Sequence, residues 1–346
     1  MVNKLERLIR KSGILDFIER GDVVALKTHF GVHGTTKPLR SVYIRKIAQI
    51  VKEKGGEPFV TETTGLGFTD DRSFALGRMK IAEENGYTSQ TLSAPIIIAD
   101  GLKGFDYIEV EVDGFHLKKV YVAKIFDEVD KVISLAHFKG HFRGAFGGAL
   151  KNIGVGCIAK PSKFDIHLYE LPVIDENLCT RCDKCVDICP GNAIQEYKVV
   201  DSLCLKCNGC FEVCRENAIV LKWITGKDLS ERIIDCAKAV FKLVGKENFV
   251  FFNFLLDITP HCDCCPYSDN PIVPDVGILA SEDILAIEKA SIDFVNESPC
   301  LPNSMAQGIS GEKFGSIFNW THSDYQLQAA KNHNLGSDEY EIIEID

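Results

Sequence analysis

The sequence predicts an α/β protein: mostly parallel sheet with helices on both faces, interrupted by a small inserted α+β domain. Three observations predict it. Apolar strand-like runs alternate with helix-like periodic segments before residue 172 and again after residue 222. Between them lies a cysteine-rich stretch without that alternation. A chain of 346 residues also has room for roughly two domains and a sizeable core. The economical organisation is one α/β domain made from 1–171 and 223–346, with 172–222 inserted at a surface loop. Insertion there is tolerated when the two ends lie close together. Two separate α/β lobes are the rival arrangement.

Taken in order, Met1 to Ile18 mixes Lys4, Glu6, Arg7, Arg10 and Lys11 with Leu5, Leu8, Ile9 and Leu15, an amphipathic helix with no secretory apolar region. Residues 23–28 form a strand ending at His29-Phe30-Gly31. Pro38 opens a helix through Lys54, which Gly55-Gly56 ends. Pro58 to Thr61 is the next strand, ending in Thr63-Thr64-Gly65. Asp70 or Asp71 caps a helix to about Asn85, stopped by Gly86. Ile96-Ile97-Ile98 is a short buried strand. Residues 107–112 and 116–122 flank Asp113-Gly114, a hairpin signal. Lys131 to Ala136 is another buried strand, ending at His137. A glycine-rich stretch over 140–156 precedes the cysteines. After them come a helix at 229–244, strands at 248–256 and 277–280, and a helix from Glu282 to Val295 begun by Ser281. A last helix spans about 324–332, and 340–345 is a terminal strand.

Composition narrows the function. The net charge of −10, with no basic block, makes a nucleic-acid backbone a poor partner. The most apolar run, Phe249 to Leu256, is too short to span a membrane and reads as a buried strand. A cytoplasmic location is expected. In a reducing compartment fourteen cysteines read as metal ligands rather than bridges.

Eight of them form a duplicated pattern. Cys179-x2-Cys182-x2-Cys185-x3-Cys189-Pro190 is followed by Cys204-x2-Cys207-x2-Cys210-x3-Cys214. Asn192-Ala193-Ile194 after the first run recurs as Asn217-Ala218-Ile219 after the second. A cubane iron–sulfur cluster needs four thiolates around one small cavity. Three close cysteines reach three irons, and the fourth comes from the other half in two-cluster ferredoxins. Cys179, Cys182, Cys185 and Cys214 are therefore assigned to one [4Fe–4S] cluster, and Cys204, Cys207, Cys210 and Cys189 to the other. This looks like a ferredoxin-type domain, with one departure: Arg215 stands where proline is expected. Structural zinc would need two CxxC pairs around a knuckle, which this spacing does not give.

Other polar groups gather at strand ends, where open α/β sheets bind ligands. Lys27 and His29 follow one strand, Thr63 and Thr64 the second, and His137 the fifth. Asp257, Thr259 and His261 follow another. Any one histidine is more economically a helix cap or a partner of a loop carbonyl; the set points to a cleft. Lys27, His29, His137, Lys139 and His141 are the candidate catalytic residues. In the glycine-rich stretch, Arg143, Lys151 and Asn152 could hold a phosphate or carboxylate, against the plainer reading of close helix–sheet packing. His261, Cys262, Cys264 and Cys265 form a candidate third metal site. Cys157, Cys300, His137 and His141 are possible completing partners, and an inert cysteine loop is the alternative.

The chain closely resembles the iron–sulfur proteins of the DUF362 family, in the subgroup with an internal ferredoxin domain. The resemblance rests on 25–31 (Ala-Leu-Lys-Thr-His-Phe-Gly), 137–141 (His-Phe-Lys-Gly-His), 147–154 (Gly-Gly-Ala-Leu-Lys-Asn-Ile-Gly), 258–264 (Ile-Thr-Pro-His-Cys-Asp-Cys), 271–281 and 335–340. His261 stands where an acidic residue is familiar, and the N-terminus begins short of the family's first strand. The resemblance implies the fold and the clusters and little about the reaction. The expected function is iron–sulfur electron transfer, as the redox component of a reductase acting on a small anionic substrate. The alternatives are a carrier with a docking domain, or metal or cluster handling by the Cys262–Cys265 loop. A redox partner protein and a small-molecule substrate are the expected partners. No flavin or nicotinamide fingerprint is present.

Overall fold

The computed structural model describes residues 1–345. α1 (Val2–Ser12) is followed by β1 (Val23–Lys27), α2 (Ser41–Glu53), β2 (Glu57–Glu62), α3 (Ala75–Glu84), α4 (Ser89–Leu92) and β3 (Ile96–Ile98). A hairpin of β4 (Tyr107–Glu111) and β5 (Lys119–Ala123) leads to β6 (Lys131–His137). A tighter hairpin of β7 (Lys139–His141) and β8 (Ala145–Gly147) leads to α5 (Ala149–Gly154) and α6 (Lys160–His167). The cysteine-rich segment holds only short pieces: β9 (Val173–Ile174), α7 (Lys184–Asp187), β10 (Ile194–Gln195), β11 (Lys198–Val199), α8 (Gly209–Val213) and β12 (Ile219–Val220). The chain resumes with α9 (Gly226–Val244), β13 (Phe249–Leu255), β14 (Gly277–Ser281), α10 (Ile284–Glu297), α11 (Lys313–Ile317) and α12 (Ser323–Asn332).

Six strands form the central sheet, in the order β3-β2-β1-β6-β13-β14. Every neighbouring pair is parallel except β13 with β14. This is the α/β architecture that the alternation predicts, and it draws strands from both sides of the cysteine segment. Chain order reverses between β1 and β6, so the two neighbours there lead away in opposite directions. Such a switch point leaves a crevice beyond the strands' carboxyl ends.

Burial on both faces follows from β13, whose seven residues are all buried. Its side chains alternate between two cores, as strand geometry requires. Phe249, Phe251 and Leu255 pack with Ile153, Ile233, Val240 and Ile287 from α5, α9 and α10. Val250, Phe252 and Phe254 pack with Leu5, Ile9, Ile44 and Ile47 from α1 and α2. The polar exception, Asn253, donates to Ser291 Oγ at 2.9 Å.

Several element boundaries differ from expectation. α2 begins at Ser41, not Pro38, because side chains anchor the preceding segment elsewhere. Lys37 Nζ donates to the Asp269 carbonyl (2.9 Å), and Arg40 pairs with Asp257 (2.7 Å). The helix expected from Asp70 is broken at Phe74 into a single turn capped by Asp70 and a separate α3. Lys160 Nζ takes the Ser73 carbonyl at that break (2.6 Å). β3 is an edge strand with Ile97 42% exposed, rather than a buried one. Asp283, not Ser281, caps α10, accepting from the Leu285 and Ala286 amides. Residues 340–345 form no strand; Tyr340 is tied instead to Asp293 through its hydroxyl (2.8 Å). No helix among the described residues is long and apolar enough to cross a membrane.

Phe252→Ala empties the centre of the core under α1 and α2. It is expected to cost about 3–5 kcal/mol in urea unfolding, the usual range for a buried aromatic. A loss under about 1 kcal/mol would mean that the two-core packing is misdescribed.

Candidate functional site

The repeat in sequence is a repeat in backbone. Arg181 and Lys206, Asp183 and Asn208, and Asn192 and Asn217 all have left-handed φ between 50° and 67°. Each pair lies 25 positions apart, the same offset as Cys179 and Cys204. These turns fold each cysteine run around a hollow. One hollow is lined by Cys179, Cys182, Cys185 and Cys214. The other is lined by Cys189, Cys204, Cys207 and Cys210. Each therefore takes its last cysteine from the opposite run. Backbone amides point at the sulfurs: Ala193 N–H donates to Cys189 Sγ (3.2 Å) and Ala218 N–H to Cys214 Sγ (3.3 Å). Ile174, Ile194 and Ile219 form a small core between the hollows. All eight thiols are free, and these groups can hold metal centres.

The second hollow sits against the α/β body. Gly67 N–H donates to the Cys207 carbonyl (2.8 Å). Glu212 accepts from the Phe68 amide (2.7 Å) and from the amide and hydroxyl of Thr69 (2.8 and 2.9 Å). A Cβ on Gly67 would fall 1.7 Å from Glu212 Oε1, so only glycine fits there. Lys206 pairs with Asp165 at 2.7 Å. The first hollow lies on the far side of the duplication, and its Cys182 is exposed.

The switch point collects the predicted polar residues. Lys27, fully buried, ends β1 and donates to the Thr28 carbonyl (2.8 Å) and to Asn152 Oδ1 (3.0 Å). Asn152 in turn donates to Lys27 O (3.0 Å) and Ser134 Oγ (2.9 Å), spanning β1 and β6. His29 Nδ1 meets the Glu62 carboxylate, which also pairs with the buried Arg78. The other nitrogen of His29, Nε2, is buried with no hydrogen-bond partner. His137 has both nitrogens engaged, Nδ1 by Asp263 (2.9 Å) and Nε2 by the Leu256 carbonyl (2.9 Å). Lys139 reaches the same Asp263 at 3.2 Å.

His141 is buried, and its Nδ1 accepts from Gly144 N–H (3.0 Å). One ligand atom each from His141, Cys262 and Cys264 lies within 4.8 Å of the others. Lys151 Nζ lies 3.7 Å from Cys262 Sγ. Arg143 stacks on Trp223, 4.4 Å from the ring centroid, with its charge close enough to be felt by Cys264 and His141. His261 is also outside the trio and packs on Tyr267 and Phe318.

Two lysines escaped sequence reading. Lys160 and Lys163 lie on α6 with their side chains buried. Lys160 donates to the carbonyls of Gly67 (2.8 Å) and Ser73 (2.6 Å). Lys163 donates to Thr63 Oγ1 (2.6 Å) and the Thr64 carbonyl. Asp100, buried beside them, accepts from the Thr64 amide (2.9 Å) and hydroxyl (2.8 Å). The available signal was two lysines one turn apart in Ala159-Lys160-Pro161-Ser162-Lys163-Phe164-Asp165, with no acidic residue three or four positions after either to pair with on the helix.

Burial pushes Lys27 and Lys163 down to about 7, against an ordinary 10.5. The folded chain then holds fewer protons than the unfolded chain between about pH 7 and 10.5, and stability rises with pH across that window. Burial pushes the Cys157 thiol up to about 12 from 9.0, which offsets part of that gain above about pH 9. The expected result is a melting temperature that climbs from pH 7 to about 9. In a Lys27→Met/Lys163→Met variant the climb flattens; an unchanged climb would show that these lysines are not its source.

The family model described as a domain of unknown function, DUF362, matches residues 24–293. A thylakoid-associated protein of Synechocystis is 28% identical over 165 residues, covering 45% of this chain and 45% of that protein. The chain thus spans less than half of that relative. Among solved structures, the lactate racemase apoprotein of Thermoanaerobacterium thermosaccharolyticum superposes with a TM-score of 0.43 at 14% identity, covering 85% of this chain and 55% of that one. A Thermotoga maritima protein gives 0.41 at 10% identity, covering 73% and 50%. At such scores neither likeness bears on chemistry. The family match runs from β1 into α10, well over half of the sequence, and the chain belongs to the DUF362 family.

Proposed function

We propose that this is an iron–sulfur electron-transfer protein and the redox component of a reductase. Residues 172–222 would form a ferredoxin-type domain holding two [4Fe–4S] clusters. A small anionic substrate would bind at the switch point. The observation that carries this reading is the crossed lining of the two hollows, each with three cysteines of one run and the last of the other. A single tetrahedral ion fits these hollows less well. With metal–sulfur bonds of about 2.3 Å, its sulfurs would stand roughly 3.8 Å apart. Among the described residues, the groups with three ligand atoms within 4.8 Å include none of these eight cysteines. A cubane spreads its thiolates around a larger body.

When bound, such clusters supply electrons one at a time. The chain's own residues do the rest. Amides of Ala193 and Ala218 donate to ligand sulfurs, which favours the reduced, more negative state. A redox partner would meet the hollow of the exposed Cys182. The hollow containing Cys207 adjoins Gly67 and, through it, Lys160. Lys27, Lys139, Lys151 and Lys163 give the cleft an excess of cationic side chains suited to carboxylate or phosphate. Reduction of a carbonyl or alkene needs protons as well as electrons. Lys27, at about 7, is the group placed to give them, while His29, kept neutral by burial and oriented by Glu62, turns its unpartnered Nε2 to the site as a hydrogen-bond acceptor for the substrate.

Reduced protein would be mixed anaerobically with a panel of small carboxylates and phosphorylated carbonyl compounds, following reoxidation at the cluster absorbance. At least one should accelerate reoxidation. Lys27→Met and His29→Ala should each slow that accelerated rate at least tenfold. Transfer to a dye acceptor should stay unchanged. If no anion accelerates reoxidation and the dye rate is normal, the chain is a carrier.

A further inference from the structure

We propose that His141, Cys262 and Cys264 form a third metal centre, a mononuclear zinc-type site inside the α/β body. It stands apart from the cluster reading, because none of its ligands lies in residues 172–222. The three side chains come from two chain segments about 120 positions apart, yet offer ligand atoms within 4.8 Å of one another. For tetrahedral zinc with bonds of about 2.0–2.3 Å, ligand atoms lie roughly 3.3–3.8 Å apart, so a small inward movement of the side chains closes the site.

The backbone is built for this approach. The hairpin residue Gly140 donates its amide to the Thr259 carbonyl at 2.8 Å. A Cβ on Gly140 would fall 2.2 Å from the Pro260 carbonyl oxygen, so only glycine lets the hairpin lie this close to the 259–265 loop. A turn closed by Cys265 N–H on the Cys262 carbonyl (2.9 Å) then sets Cys262 and Cys264 on one side. The neighbouring Cys265 and His261 fall outside the trio.

The surroundings suit thiolate ligands. Lys151 Nζ, 3.7 Å from Cys262 Sγ, and the Cys264 amide, 3.4 Å from the same sulfur, both favour negative charge there. His141 is buried beside the two cysteines and offers the third ligand atom. Two thiolates and one imidazole are borderline-soft donors that favour zinc over magnesium or calcium. Three protein ligands leave one coordination position open, as catalytic rather than structural zinc sites do. The class of ligand for that position is water or a substrate oxygen, a carboxylate or hydroxyl.

Anaerobically purified full-length protein would be given one equivalent of zinc, desalted against a weak chelator and assayed for zinc and iron. The zinc K-edge spectrum ignores iron and therefore the clusters. Wild type should retain about one zinc, with two sulfur scatterers at about 2.3 Å and the remainder nitrogen or oxygen. Cys262→Ser/Cys264→Ser and His141→Ala should retain at least tenfold less zinc with unchanged iron, and Cys265→Ser should retain it fully. Failure of wild type to hold zinc, an edge spectrum without two sulfurs, or retention by the double variant would overturn the site. If the double variant does not fold, the wild-type edge spectrum decides alone. Loss of iron with zinc kept would count against the cluster reading and leave this site standing.

Discussion

One buried carboxylate holds the two sides of the switch point together. Asp263 Oδ2 receives His137 (2.9 Å) from the end of β6 and Lys139 (3.2 Å) from the start of β7. Its backbone carbonyl receives the Thr35 hydroxyl (3.0 Å) from the loop after β1. Burial alone would raise its pKa, but His137 and Lys139 pull it well below the usual carboxylate range. Removing one partner of such a buried group typically costs about 3–5 kcal/mol, because the remaining charge is stranded. The same contacts fix the loop that carries Cys262 and Cys264. Lys139, the hairpin of His141 and the cysteine loop therefore share one anchor.

The α/β body and the cysteine segment meet through a second, smaller set of contacts. Glu212 grips the loop at Phe68 and Thr69, and that loop in turn receives Lys160. Lys160 itself is pushed down to about 8 by burial. A charge change on the thiols around Cys207 would therefore be felt first by Lys160, then by Asp100, Thr64 and Lys163. This is a contiguous polar path from the inner hollow to the switch point.

Much of this was legible in the sequence where chemistry fixes spacing. The duplicated runs were readable directly from their intervals, and the structure sets the last cysteine of each run in the lining of the other run's hollow. β13 was readable because a seven-residue apolar run must be buried on both faces. Lys27, His29, Lys151 and Asn152 were singled out because strand ends and glycine-rich turns are known ligand positions, and the structure links Lys27 to Asn152 directly at the switch point. What stayed hidden depends on distant partners. Glu62 finds Arg78 and His29, and Lys163 finds Thr64, across separations that no local pattern encodes. The third-site residues were named as a group, but His141 was only one of several candidate completing partners; the clash at Gly140 that selects it exists only in three dimensions. Helix starts erred for the same reason, since Lys37 and Lys160 hold backbone that would otherwise continue a helix.

The central claim is that the last cysteine of each run belongs to the other run's cluster. Iron content of anaerobically prepared double variants tests it most directly. If the ligands cross, Cys179→Ala/Cys214→Ala damages one cluster only and keeps about four of eight irons. Cys204→Ala/Cys214→Ala damages both and keeps close to none. The reverse pattern, with about four irons surviving in the second variant and none in the first, would contradict the account.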